Sequence, residues 1–282
     1  MSQAASPKKG FLQSQAGHYL TLLVGSTLIV HLLYAFIVLP MADRDVATAS
    51  ARAAAGEPPL GQTLWIILKD PEQEIICILT VVALFVLIGK WRQSKRDQAA
   101  LELPLVDLEE GERILPDDAL TWAKHVEDVA TKHPEYQSAL LVRSVTTALR
   151  RFHSTASVQE SSAGAHEQAE AEGERFDSEL SGVRYLIWAI PSVGFIGTVR
   201  GIGVALSYAD EAVKGNLSGV TNYLGVAFNS TLVALLSSLL LMLGVHILQN
   251  VQESLILDVK QYVRDRLVRY MKIPARADAG ES

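Results

Sequence analysis

Several kinds of chemistry are excluded by residues that the sequence has in short supply. The chain of 282 residues contains one cysteine, Cys77, so it cannot form an intramolecular disulfide or a cysteine-based zinc site, and we expect a small core residue there. Four histidines are scattered without metal-ligand spacing and are interpreted as solvated surface residues: His125, His133, His153 and His166. The sequence has no P-loop and no dinucleotide-binding fingerprint. We therefore expect no cofactor and no enzymatic activity.

Positive charge is also scarce, whereas long apolar stretches are present. Lys and Arg number 25 against 31 Asp and Glu, a net charge of -6, and no basic patch is interleaved with aromatics, which argues against a nucleic-acid-binding protein.

Only 49% of the chain is hydrophobic, but four apolar stretches stand out. They cover residues 19–39, 75–89, 185–208 and 223–248. The second stretch is short for a membrane span, but the flanking side chains of Lys90 and Trp91 can extend to the membrane–water interface and make up the difference. The sequence thus predicts an all-α polytopic membrane protein with four transmembrane helices and long cytoplasmic helical extensions.

Basic residues flank these stretches on one side of the membrane. Lys8 and Lys9 precede the first stretch, and further basic residues follow the second and fourth and precede the third. The positive-inside rule therefore places both termini in the cytoplasm. The predicted organisation begins with a cytoplasmic tail over 1–18 and a transmembrane hairpin over 19–89, with a periplasmic loop over 40–74. A cytoplasmic helical region follows over 90–183. Spans three and four cover 184–248, and a cytoplasmic helix and tail cover 249–282.

The N-terminus has an alternative interpretation. Its basic start, the first apolar stretch and the letters VATA at residues 46–49 together resemble a signal peptide and its cleavage site. The apolar run is longer than the ~7–15 residues usual in signal peptides, which favours a retained span. Either outcome leaves the topology of the remaining chain unchanged.

The regions between the spans carry helical periodicity. Apolar residues recur at helical spacing from Tyr136 to Phe152 and again from Leu255 to Tyr270. The polar stretch 157–180 is either a loose linker or a helix that needs partners. Its helix-forming composition without proline favours a helix that continues into span three. Span four is expected to extend in the same way and to end near Pro274.

Two matching stripes of small residues mark spans three and four. On a helix, positions i, i+4, i+7 and i+11 share a face. Residues at this spacing are Gly194, Thr198, Gly201 and Ala205 in span three, and Ala227, Thr231, Ala234 and Ser238 in span four. One interpretation is close helix–helix packing, and the other is a face open to a partner helix, with two hydroxyls for an ion or a carboxylate. Nothing on either stripe is ionisable, so an ion-carrying carboxylate would have to come from another chain.

The residues around these stripes resemble a known family. The letters PSVGFIGTVRGI at 191–202 are similar to the signature helix of the MotA/TolQ/ExbB proton-channel family, in which a proline is followed seven residues on by a threonine. The letters AFNSTLVALLSS at 227–238 resemble the family's last helix, and residues 64–91 resemble the first ExbB/TolQ span with its amphipathic lead-in and acidic break.

The resemblance implies a ring-forming channel subunit in the bacterial inner membrane. Family members form pentamers around helices of a MotB/TolR/ExbD-like partner, whose single span carries the ion-binding aspartate, and ion flow drives work in the envelope. It implies that Thr198 and Thr231 line the pore and meet that aspartate, and that Pro191 kinks span three. The transported ion would be H⁺. The driven load (import, envelope maintenance, motility or defence) does not follow from the sequence, although flagellar torque is disfavoured because 97–182 does not align with the MotA rotor-contacting region.

Three features depart from the family pattern. The chain has four spans, like MotA, although its motifs are closer to ExbB and TolQ. Asn229 and Ser230 precede Thr231, and an extra hydroxyl beside this threonine is similar to sodium-driven members, so Ser230 could select Na⁺, although H⁺ is favoured. Arg200 stands where an aromatic or apolar residue is common in the family, and it points roughly 200° away from the stripe of span three. We expect it to bond to Asp210, Glu211 or exposed carbonyls, or to snorkel to lipid headgroups.

Two other functions compete with the motor subunit. A membrane scaffold or sensor whose spans only pack would need Thr198 and Thr231 for nothing beyond their size. A stand-alone transporter is disfavoured because internal repeats and broken helices are absent from the sequence pattern and no predicted span holds a carboxylate.

Overall fold

The computed structural model describes residues 8–57, 61–108 and 111–273. It is built from nine helices in these ranges: α1 (Lys8–Leu33), α2 (Leu39–Ala54), α3 (Leu64–Leu68), α4 (Pro71–Ala99), α5 (Ala119–Lys132), α6 (Leu140–Thr155), α7 (Val158–Ser207), α8 (Ala209–Val213) and α9 (Ser218–Tyr262). A π-helical turn, Tyr34–Val38, joins α1 to α2, and further π-helical and 3₁₀ turns, Val263–Leu267 and Val268–Tyr270, follow α9. Apart from an isolated bridge between Ile114 and Met271, these ranges contain no β-structure.

Four helical segments are long and apolar enough to cross a membrane. They are Thr21–Arg52, Pro71–Glu102, Val158–Ser207 and Ser218–Tyr270. Many of their large apolar side chains are exposed, among them Phe36, Trp188 and Phe228, as expected of surfaces that face lipid or other subunits. The predicted all-α fold with four membrane-spanning helices is therefore confirmed. Ring formation stays a prediction.

The chain divides into two compact units. One contains Met1–Leu87 and Gly182–Val245, and the other contains Ile88–Ser181 and His246–Ser282. The first holds the apolar parts of the four long helical segments, and the second holds the polar extensions of α4, α7 and α9 together with α5 and α6. The placement of the first unit in the membrane and of the second in the cytoplasm stays a prediction.

The loop expected over 40–74 is largely helical, which corrects the prediction. The helix that starts with α1 continues through the turn Tyr34–Val38 into α2, although Pro40 lacks an N–H and would clash with the carbonyl of residue 36. A π-helical turn widens the backbone at that position, so the chain stays helical past the proline. The alanine-rich sequence that follows has high helix propensity. The short lead-in helix α3 before α4 agrees with the family resemblance.

Within the first unit, α1 packs against the start of α4. Val30 and Tyr34 belong to an apolar cluster with Val38, against which Cys77 is half-buried. The Tyr34 hydroxyl donates to the Cys77 sulfur at 3.4 Å, and His31 Nδ1 lies 2.7 Å from Glu74 Oε1. Cys77 therefore acts as a packing residue, as the sequence suggested.

In the second unit, the polar stretch 157–180 is helical from Val158 onward, as predicted. It finds the partners it needs in ion pairs: Arg143 lies 2.6 Å from Glu172, Lys90 lies 2.6 Å from Glu179, and Lys260 lies 3.0 Å from Glu170. The apolar face of α6 forms the core of this unit, together with Phe176, Leu255 and Val259. Helix α9 continues past span four to Tyr262, as predicted, and the predicted end near Pro274 lies outside the described residues.

Candidate functional site

The two small-residue stripes face each other across the contact between α7 and α9. A Cβ at Gly194 would lie 2.5 Å from the Cβ of Ala234, and one at Gly201 would lie 2.8 Å from the backbone nitrogen of Ala227. Ala205 is also buried. Small residues let membrane helices approach until their backbones touch, so these glycines set the distance between the two helices.

Gly201→Ala should therefore destabilise the contact between α7 and α9. Its Cβ would meet Ala227 N and Tyr223 O, each at 2.8 Å, and backbone atoms cannot move aside as a flexible side chain can. Overpacking of this kind costs about 1–3 kcal/mol. Gly203→Ala is the matched control on the same helix, because nothing lies within 4 Å of its Cβ. Thermal unfolding in detergent measures both, and equal melting temperatures would contradict the prediction.

The threonines of the two stripes form a hydroxyl pair at this contact. Thr198 Oγ1 and Thr231 Oγ1 are hydrogen-bonded to each other, and both are half-buried. Thr198 Oγ1 is also 3.0 Å from Ala227 O and 3.2 Å from Gly194 O, and Thr231 Oγ1 is 3.4 Å from Gly194 O. Each hydroxyl has one hydrogen to donate but several acceptors within reach, so the pair can reorient at little cost. Hydroxyls in this state can exchange hydrogen bonds with an arriving carboxylate or hydrated ion.

Pro191 and Ser238 form a second polar contact between the same helices. Pro191 lies inside α7, which continues through it, and its missing N–H leaves the carbonyl of Ile187 without its helical donor. Ser238 Oγ donates to Ile187 O at 2.6 Å. The last residue of the α9 stripe thus satisfies the carbonyl that the proline of α7 frees. The kink at Pro191 stays a prediction.

Ser238→Ala should destabilise the protein by about 1 kcal/mol, the cost typical of a lost interhelical hydrogen bond in a membrane. The loss should depend on the proline. In a Pro191→Ala background, residue 191 regains an N–H that bonds to Ile187 O, so removal of the serine should then have a much smaller effect. A double-mutant cycle measured by thermal unfolding checks this. Additive effects of the two substitutions would contradict the assignment.

Arg200 is paired with Glu72 of α4, which corrects the expected pairing with Asp210 or Glu211. Its Nε lies 2.6 Å from Glu72 Oε1 and its Nη2 lies 2.7 Å from Oε2, a two-pronged contact. Asp210 is exposed, and Glu211 accepts from Asn216 at 3.3 Å. Glu72 lies in the first turn of α4, next to the half of α7 that is predicted to face outward. Both acids that we expected to pair with Arg200 belong instead to α8, beyond the end of α7.

Ser230 is buried on the flank of the hydroxyl pair. Its Oγ donates to Val226 O at 2.7 Å within its own helix, and it packs against Gly197. The hydroxyl hydrogen is thus used inside the helix, although the oxygen lone pairs stay available to a cation. A role for Ser230 in ion selection stays a prediction.

Electrostatics around Arg200 involve a second acid, Asp70. It precedes α4 and is half-buried, and this burial raises the pKa of its carboxyl, while nearby Lys69 and Arg200 act in the opposite direction. Within the ranges that the structure describes, no group of histidine, cysteine and acidic residues could hold a metal ion. The site is therefore one of hydroxyls, one guanidinium and carboxylates.

These features define a class: a multi-pass helical membrane protein with paired hydroxyls where two long spans meet. Residues 137–261 match the model of the MotA/TolQ/ExbB proton channel family. The matched region holds Pro191, Thr198 and Thr231, and so the predicted family resemblance is confirmed. The family that this region resembles is one of channels rather than enzymes. No curated protein and no solved structure matched the chain.

Sequence reasoning missed Glu72, which lies outside the region that matches the family. It assigned this residue to a periplasmic loop and treated the spans as free of carboxylates. The letters DPEQE at residues 70–74, directly before an apolar span, were the available signal, because an acidic turn there offers a partner for Arg200. Sequence alone could not show that the two residues meet, since 128 positions separate them.

Proposed function

We propose that this chain is the ion-conducting subunit of a motor in the bacterial inner membrane, driven by the proton-motive force. The observation that carries the proposal is the hydroxyl pair of Thr198 and Thr231, placed where two membrane helices of the matched family region touch. Both termini lie in the cytoplasm in this proposal, following the positive-inside rule.

The chain acts as a homopentamer around a partner of the MotB/TolR/ExbD kind. Neither small-residue stripe offers an ionisable group, so an aspartate on the single span of the partner binds the ion. The exposed apolar side chains of the four long helices are available for contacts between subunits as well as with lipid. Ion flow turns the ring against the partner, and the partner delivers work to the cell envelope.

The transported ion in this proposal is H⁺ rather than Na⁺. Ser230, the residue that would favour sodium, donates its hydroxyl hydrogen within its own helix and offers a cation a single oxygen ligand. Sodium is a hard cation and needs several oxygen ligands.

Capture of the partner from native membranes tests the proposal. The tagged chain, solubilised in mild detergent, should co-purify with a single-span protein whose span carries an aspartate, and native mass spectrometry should show five copies of this chain. The complex in liposomes should pass protons under an imposed membrane potential, reported by trapped pyranine. Protein-free liposomes are the control. Flux that rises with sodium concentration at a fixed proton gradient would overturn the choice of ion. Purification of the chain without any partner, together with no proton flux in liposomes, would overturn the proposal.

A scaffold function has one observation in its favour, namely that the two stripes pack together. A scaffold needs that contact but has no need of the hydroxyls. Substitutions that remove a hydroxyl and keep its volume therefore separate the two functions.

A further inference from the structure

The structure brings a carboxylate of this chain beside the hydroxyl pair. Glu72, in the first turn of α4, has a side chain that is only 9% exposed. A Cβ at Gly197 would lie 3.1 Å from Glu72 Cγ and 2.5 Å from Ser230 Oγ. Gly197 directly precedes Thr198, and Ser230 directly precedes Thr231, so Glu72 packs on the flank of the α7–α9 contact at the level of the two hydroxyls.

The Glu72 carboxylate is paired with Arg200. The guanidinium occupies both oxygens, at 2.6 and 2.7 Å, and its own side chain is 42% exposed. A buried carboxylate is costly without such a partner. In the proposed complex, we place the aqueous access to Glu72 on the exposed side of Arg200.

A second and independent observation points to hydration at the same turn. Gln73, the next residue of α4, is fully buried, and among the described residues neither of its side-chain amide atoms has a hydrogen-bond partner. The Asp70 Oδ2 oxygen is buried without a partner as well. Polar atoms in this state are normally satisfied by internal water or an ion.

We infer that Glu72 is a proton-carrying group that this chain supplies to the ion path, between the outer aqueous side and the hydroxyl pair. The inference rests on the proposed function. A hydronium ion gives its proton to a Glu72 oxygen, which releases water and leaves a neutral carboxyl with a weakened bond to Arg200. The proton then passes to the ionised carboxylate of the partner at Thr198 and Thr231. That transfer restores the Glu72 anion, and Arg200 binds it again.

The test measures proton flux through the complex purified from native membranes and placed in liposomes with trapped pyranine. Glu72→Gln keeps the size of the side chain and can still bond to Arg200, but it cannot carry a proton. We expect it to lower flux about 100-fold, a loss within the range for removal of a proton-transfer group. Glu72→Asp keeps the carboxylate and should retain a substantial part of the flux. Glu74→Gln is the matched control, because Glu74 lies in the same turn but pairs with His31.

The outcomes separate this inference from the proposed function. Loss of flux in both Glu72→Gln and Thr198→Ala, with Glu74→Gln unchanged, supports both. Wild-type flux in Glu72→Gln with loss in Thr198→Ala overturns the inference alone. A wild-type complex that passes no protons overturns both. If Glu72→Gln does not assemble, its place is taken by the double variant Glu72→Gln/Arg200→Gln, which leaves no unpaired charge. Wild-type flux in that double variant would likewise overturn the inference, and a loss of flux would support it.

Discussion

Thr198→Ala is expected to abolish proton flux while leaving the chain folded. The substitution removes a hydroxyl that bonds to Thr231 Oγ1 and lies near Gly194 O and Ala227 O, so the ion path loses a reorientable donor and acceptor. Removal of one such positioned group lowers a rate by about 100- to 1,000-fold. The stability cost should be small, about 0.6 kcal/mol and at most ~1.7, because both carbonyls keep their helical partners. Flux in liposomes and thermal unfolding measure the two effects, and Thr231→Ala should behave in the same way.

Two further substitutions make this prediction specific to the hydroxyl. Thr198→Val keeps the shape of the side chain and removes only the oxygen, so it should be as inactive as Thr198→Ala. Thr198→Ser keeps the oxygen and should be milder. Near-normal flux in the valine variant would show that the residue matters for packing alone, and the scaffold function would then be favoured.

The sequence predicted what depends on local patterns. The apolar spans, the helical extension through 157–180 and the small-residue stripes all follow from periodicity and composition within a single helix, and all are present in the structure. The meeting of the two stripes was one of two interpretations of the same spacing. The structure shows which residues of the two stripes meet: Gly194 lies against Ala234, and Gly201 lies against Ala227.

The sequence could not predict contacts that depend on where helices lie in three dimensions. Pro191 guarantees a freed carbonyl at Ile187, but several hydroxyls of α9 could have reached it, and only the structure identifies Ser238. The helix past Pro40 needed a π-helical turn that leaves no mark in the sequence. Glu72 was overlooked because a charge-based topology placed it in a loop, whereas α4 begins at Pro71 and brings it into the bundle.

Arg200→Ala is expected to produce the largest loss of stability among these variants. It would leave the buried Glu72 carboxylate without its two-pronged partner, and breaking a buried ion pair from one side costs about 3–5 kcal/mol. The 42% exposure of the Arg200 side chain lets water reach the carboxylate, so the lower end of that range applies. Arg200→Lys should recover part of the loss, since an ammonium group can neutralise Glu72 but cannot match both of its oxygens. Thermal unfolding of the detergent-solubilised protein measures each variant.

The double variant Arg200→Leu/Glu72→Leu decides whether the loss belongs to the pair. It removes both charges and leaves no carboxylate to be stranded, so it should be considerably more stable than Arg200→Ala, as replacement of buried ion pairs by apolar residues often shows. Asp210→Asn is the matched control from the pairing that the sequence suggested, and it should unfold as the wild type does because Asp210 is exposed. If Arg200 instead only extends to lipid headgroups, Arg200→Lys will equal the wild type and the double variant will be no more stable than Arg200→Ala. A double-mutant cycle with the single variants Arg200→Leu and Glu72→Leu gives the coupling energy, and a value indistinguishable from zero would disprove the pair.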